Sequence, residues 1–162
     1  VKFSFQDDPD QKNYYLLRLR NENGFEDPDT NDNYYYSSSD YGYFYTYDPL
    51  IDFFYEGSDP LGNEDGSKSG TFGFISDETF NGKQKDITFE FDSFFYDPNV
   101  ETAFKYTLEL LSISENYYLH ERSKAGQWFS DGLFGEATQI YTNIPNGYGI
   151  VAGASIVKIE LK

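Results

Sequence analysis

The sequence predicts a mostly β domain, an antiparallel sandwich or barrel-like fold with one short helix near residues 114–125. Two observations carry this. Aromatic residues make up 20% of the chain, 16 Tyr, 16 Phe and 1 Trp, and such side chains favour pleated, half-buried surfaces. Several segments alternate apolar and polar residues with the period of two that a strand requires. At 162 residues the chain is long enough for one domain with one core, and 1–162 is read as a single β-rich unit.

Taken in order, Val1 to Gln6 alternates around Phe3 and Phe5, and Asn13 to Arg20 follows an acidic turn at Asp7, Asp8, Pro9 and Asp10, giving strand, turn, strand. Tyr15, Leu17 and Leu19 share one face and Arg18 and Arg20 the other, as in a sheet with one wet side. Asn21 to Asp40 is polar, carries Gly24 and Pro28, and reads as a loop. Tyr34 to Tyr55 is an aromatic cluster broken by Asp48-Pro49; two short strands, or one strand and a partner-facing loop, fit it equally. Glu56 to Gly70, rich in Gly, Ser, Asp and Asn, reads as a second loop before a strand at Thr71 to Ile75.

Asn81-Gly82 supplies the positive φ of a tight hairpin ahead of a strand with Ile87, Phe89 and Phe91 on one face. Ala103 to Ile113 is a further strand whose apolar phase changes at Leu111 and Ile113, the mark of a bulge or a transition. Ser114 suits an N-cap, Glu115 a first turn and Gly126 a C-terminal stop, which defines the helix. A short strand at Thr138 to Tyr141, a turn through Asn143 to Gly147, and a closing strand with Val157, Ile159 and Leu161 alternating complete the chain.

Charge and composition narrow the functions. With 12 basic and 28 acidic residues the net charge is −16, which repels nucleic acid and anionic lipid surfaces. There is no Cys, hence no disulfide, thiolate nucleophile or Cys metal site. No apolar stretch approaches the roughly 18 residues of a membrane span. Val1 is followed at once by strand-like sequence, so the chain either lacks a targeting signal or begins after one.

Asp27, Asp29 and Asn31 have the D-x-D-x-N spacing that offers alternating oxygens to calcium. Asp32 stands where such a loop needs Gly and Ser38 where it needs a bidentate Glu, so a solvated acidic loop outweighs a metal site, and no other cofactor is expected. Gly147 to Gly153 lacks the following helix of a nucleotide-binding loop and reads as close backbone packing or a turn into the last strand. His120 is the single histidine and no G-x-S-x-G elbow accompanies it, so it reads as a surface or half-buried residue, and the chain as a binder, not an enzyme. The candidate binding residues are Tyr34, Tyr35, Tyr36, Tyr41, Tyr43 and Tyr45: consecutive tyrosines cannot all point inward, and an exposed ring presents a flat face and a hydroxyl to a protein or sugar.

Phe5 to Tyr15, Ser58-Asp59-Pro60-Leu61, Phe74 to Lys83, Leu110 to Tyr118 and, above all, Glu136 to Ile150 together resemble the Bacteroidota domain-of-unknown-function family 4249. The last segment follows a family pattern close to E-P-x-x-[VI]-Y-[ST]-N-I-x-N-G-x-G-I-F, with Ala137 in place of Pro and Val151 in place of Phe. The resemblance implies a lipid-anchored protein of the bacterial outer-membrane surface, encoded beside SusC/SusD-type TonB-dependent transporters. It also implies that this chain is the C-terminal part of a longer lipoprotein, preceded by a signal, an acylated cysteine and an immunoglobulin-like region. A non-catalytic accessory or scaffolding subunit beside a SusC-like transporter is the expected function; a glycan- or peptide-binding module using the tyrosines is the alternative. Membrane contact would come only through the lipid anchor.

Overall fold

The computed structural model describes residues 1–22, 25–26, 33–34, 41–54, 65–91, 105–130 and 139–161. The fold is mostly antiparallel β and sandwich-like, without a closed barrel, as the alternating segments predict. Its main layer is a six-stranded sheet built on β2 (Tyr14–Glu22) and β11 (Lys105–Ile113), which pair along nine residues from Lys105 opposite Glu22 to Ile113 opposite Tyr14. On one side β12 (Ala154–Leu161) adds to β11; on the other β9 (Phe72–Ser76) adds to β2, followed by β7 (Asp52–Phe53). Where β9 ends at Arg18, β5 (Tyr41–Gly42) takes over the same edge of β2 at Leu19 and Arg20.

The second layer holds β1 (Lys2–Gln6) paired with β10 (Gln84–Thr88), and β6 (Phe44–Thr46) paired with β8 (Lys68–Gly70). A bridge between Tyr45 and Glu90 joins the two pairs. Tyr15, Leu17, Leu19, Phe53, Ile75 and Leu108 of the main sheet meet Phe44, Ile51, Ile87 and Phe89, all buried. Each such side chain removed from water stabilises the fold by roughly 1.5–3 kcal/mol. The rings of Phe44 and Phe89 meet edge to face at 5.4 Å. Gly73 lets Ile51 and Phe44 pack directly on β9, because a Cβ there would lie 2.8 Å from Ile51 Cγ2 and 3.1 Å from Phe44 Cζ.

The opposite face of the main sheet is only partly wet. Helix α1 (Glu115–Ser130) covers Tyr14, Leu16, Phe74, Leu111 and Ile113 with Tyr118, whose ring stacks on Tyr14 at 4.5 Å. This explains the phase change at Leu111 and Ile113. β11 runs unbroken, with no bulge there, and buries both faces, so both parities are apolar. Ser114 caps the helix as predicted, its hydroxyl accepting from the Tyr117 N–H at 3.4 Å. Gly126 does not stop it: the helix runs through to Ser130, and a glycine within a helix costs only about 1 kcal/mol relative to alanine.

Other expectations are corrected. Asn81-Gly82 does turn the chain, with Gly82 at φ +71° and the Lys83 N–H bonded to Phe80 O at 2.8 Å, but it makes no hairpin. β9 pairs with β2 and β7 while β10 pairs with β1, so this turn, together with the 3-10 turn at Asp77–Thr79, crosses between layers. The acidic turn after β1 crosses in the same way, since β1 and β2 lie in different sheets.

Asp7, Asn13, Asp77 and Gly82 tie these two crossings together. Asp7, 1% exposed, accepts from the Tyr15 hydroxyl, from Asn13 Nδ2 at 3.2 Å and from the Gly82 N–H at 2.7 Å. Asp77 accepts from the Asn13 N–H at 2.6 Å. The polar stretch after β2 contains a small hairpin of β3 (Phe25–Glu26) and β4 (Asn33–Tyr34), and the second predicted loop gives up its end to β8. Residues 139–141 form no strand; the closing strand is present as β12.

Candidate binding surface

The surface is built on β6. Strand alternation turns Phe44 and Thr46 inward, each 1% exposed, and Tyr43, Tyr45 and Tyr47 outward. Tyr43 is 38% and Tyr47 62% exposed, and Tyr45 is half-buried between them. The rings of Tyr43 and Tyr45 meet at 5.9 Å and 69°, so they present one face and one edge rather than a flat platform. Reciprocal backbone bonds with Glu90, 2.7 and 2.8 Å long, hold Tyr45 in place.

At the far end Tyr47 donates from its hydroxyl to Asp65 Oδ2 at 3.1 Å. That hydrogen bond to a carboxylate raises the Tyr47 pKa, and hydrogen bonds from the Ser67 hydroxyl and N–H hold the Asp65 carboxyl below the usual range. The row is thus flanked by carboxylates, Asp65 at one end and Glu90 beside it.

Tyr41 belongs elsewhere. It lies opposite Arg20 on the helix-bearing face of the main sheet, its ring 4.6 Å from the Arg18 guanidinium and 5.2 Å from Phe72. Arg18 Nε donates to Glu109 Oε2 at 2.6 Å, and Lys158 Nζ lies 3.0 Å from Glu109 Oε1. Burial pushes the Glu109 carboxyl up, but hydrogen bonds from Lys158 and Arg18 outweigh it and hold the pKa below its ordinary value. This is an ionic link across β2, β11 and β12 with no reactive group left over.

Of the predicted tyrosines, the structure therefore brings Tyr43 and Tyr45 together and separates Tyr41 from them. Tyr34 lies in β4, and Tyr35 and Tyr36 lie outside the described residues, as do Asp27, Asp29 and Asn31. Among the described residues no group of three or more His, Cys, Asp or Glu is placed to hold a metal. Tyr47 was missing from the sequence-derived set, although the alternation through Tyr43 and Tyr45 extends directly to it.

His120 sits on α1 and bonds through Nδ1 to Tyr141 O at 2.8 Å; a carbonyl only accepts, so Nδ1 carries the proton. The Tyr141 N–H donates to Ser123 Oγ at 2.8 Å and the Tyr141 hydroxyl to Asn116 Oδ1 at 2.7 Å, so three bonds fasten residue 141 to the helix. Asn143 then exchanges two hydrogen bonds with the Val151 backbone, at 2.8 and 2.9 Å, across a turn in which Asn146 and Gly149 have positive φ. The glycine-rich segment is a turn into the last strand, as predicted.

The profile of one protein family, "Domain of unknown function (DUF4249)", matches residues 1–160. Comparison with curated proteins and with solved structures gives no match. Among the described residues no helix is long and apolar enough to cross a membrane.

Proposed function

The chain belongs to the DUF4249 family, and on that premise we propose that it is a non-catalytic accessory or scaffolding domain that docks a protein partner on the outward face of β6. The observation that carries this is the row of Tyr43, Tyr45 and Tyr47 beside Asp65 and Glu90. Tyrosine gives large contact area at low entropic cost, and it is enriched where proteins meet. The neighbouring carboxylates favour a partner that presents Arg or Lys, which the tyrosine faces also accept. The cellular setting of this proposal is the bacterial outer-membrane surface, with lipid anchoring outside this chain and a SusC-like TonB-dependent transporter as the partner. A second reading, a glycan held on the same tyrosines, draws on the 62% exposure of the Tyr47 ring.

The test is affinity purification of tagged protein from detergent-solubilised membranes of the native organism, comparing the unaltered chain with a Tyr43→Ser, Tyr47→Ser variant. A TonB-dependent transporter is expected with the unaltered chain, and about tenfold less with the variant, as for the loss of one or two interface anchors. The tagged chain emerging alone would overturn the docking proposal. Binding on a glycan array that disappears in the variant would establish the second reading instead.

A further inference from the structure

Among the described residues the strand β12 ends the main sheet, paired with β11 on one side only. All its residues but Leu161 are exposed, including Ile156 at 44%, Val157 at 62% and Ile159 at 41%. Such an edge is a template for another strand, and proteins ordinarily guard it with an outward lysine. Lys158 occupies the guarding position, but its ammonium is drawn over the sheet to Glu109. Glu160, on the same face, has no ion-pair partner among the described residues.

We infer that β12 pairs antiparallel with β12 of a second copy of this chain, about a two-fold axis through Ile159. The argument is that Val157-Lys158-Ile159-Glu160-Leu161 is complementary to itself when reversed. In that register Ile159 faces Ile159, Val157 faces Leu161, and Lys158 faces Glu160 twice over. Directly opposed residues share a face, so both charge pairs form on the side of the sheet that carries Glu109, and the apolar pairs form on the side that carries Leu108 and Leu110. Moving the axis to Lys158 or Glu160 would set a charge against its own copy. The two six-stranded sheets become continuous through an isologous contact that closes on itself. This surface is separate from the β6 tyrosines and does not depend on them.

This chain has no cysteine, so an introduced thiol is the single one in it. Ile159→Cys is expected to give a disulfide-linked dimer on mild oxidation, because opposed Cβ atoms lie about 4.5–5.5 Å apart in such a ladder. Val157→Cys alone is expected not to cross-link, since the two copies of residue 157 fall about 13 Å apart, four residues along the partner strand. Val157→Cys mixed with Leu161→Cys is expected to cross-link. Sedimentation at about 0.15 M salt, where the repulsion of two chains of charge −16 is screened beyond ~8 Å, is expected to show a dimer that Glu160→Lys weakens about tenfold. Residue 159 is already exposed, so the cysteine variant tests pairing without disturbing the core. The inference is overturned if the unaltered chain is monomeric, if Val157→Cys cross-links as readily as Ile159→Cys, or if Glu160→Lys leaves the dimer unchanged.

Discussion

Replacing Glu109 with Gln isolates the ionic link that crosses three strands of the main sheet. Glu109 is 1% exposed and has two cations at 2.6 and 3.0 Å, so the substitution keeps the volume and removes the charge both cations face. Hydrogen bonds to charged groups contribute about 1.5–3 kcal/mol each. The Lys158 side chain is 50% exposed and recovers hydration, so its share is below about 1 kcal/mol. Arg18, at 21%, stays largely buried against Tyr41 and supplies most of the effect. The expected loss is about 2 kcal/mol at pH 7, or roughly 4–8 °C in Tm for a domain of this size.

The pH dependence carries the sharper test. In the unfolded chain Glu109 titrates near its ordinary 4.5, and in the fold it titrates lower. Between those values the unfolded state binds the extra proton, so the contribution is full above about 4.5 and is lost as the pH falls through the folded value. Urea unfolding of the two proteins from pH 7 to pH 3 is expected to give stabilities that converge at the acid end. A gap that is the same at pH 3 as at pH 7, or below about 0.5 kcal/mol throughout, would refute the reasoning.

Two further outcomes follow from the same structure. Gly82→Ala is expected to destabilise by about 2–4 kcal/mol in thermal unfolding, because φ is +71° and the new Cβ would sit 2.7 Å from Pro9 Cβ; a loss under 1 kcal/mol would mean that the crossing turn relaxes freely. Tyr14, Tyr15, Tyr106, Tyr117 and Tyr118 all have pKa values raised first by burial, and for Tyr15 also by its bond to Asp7. The unfolded chain loses these phenolic protons first, so stability is intact below about pH 10 and falls above it; ultraviolet titration should show these rings ionising late or with unfolding, and simple ionisation of all 16 tyrosines near pH 10 would contradict this.

Local signals suffice where one residue's neighbours decide its place. Ile87 and Phe89, Val157 and Ile159, and the Ser114 cap follow from alternation and capping alone. They do not suffice where the outcome depends on a distant strand. The positive φ at Gly82 announces a turn, yet nothing nearby tells whether the chain returns to β9 or crosses to β1. Gly126 carries a stop signal that the helix overrides. Leu111 and Ile113 looked like a slipped phase because the helix that buries them begins only after the strand ends. The Glu109 link was invisible for the same reason: Arg18 lies 91 residues away from it. At the candidate surface, alternation identified Tyr43 and Tyr45 and implied Tyr47, whereas only the pairing of β5 with β2 removes Tyr41 to the other face of the sheet.

The bonds among Asp7, Asn13, Asp77 and Gly82 lie where two crossings between the layers pass each other. Sliding one layer over the other by a single residue would break them together and strand buried Asp7 without its donors. The network therefore opposes a one-residue slip of one layer over the other. The tyrosine face of β6 joins that braced layer through the Tyr45–Glu90 bridge, so a partner docked there as proposed would pull on a strand of the layer and not on a loop alone.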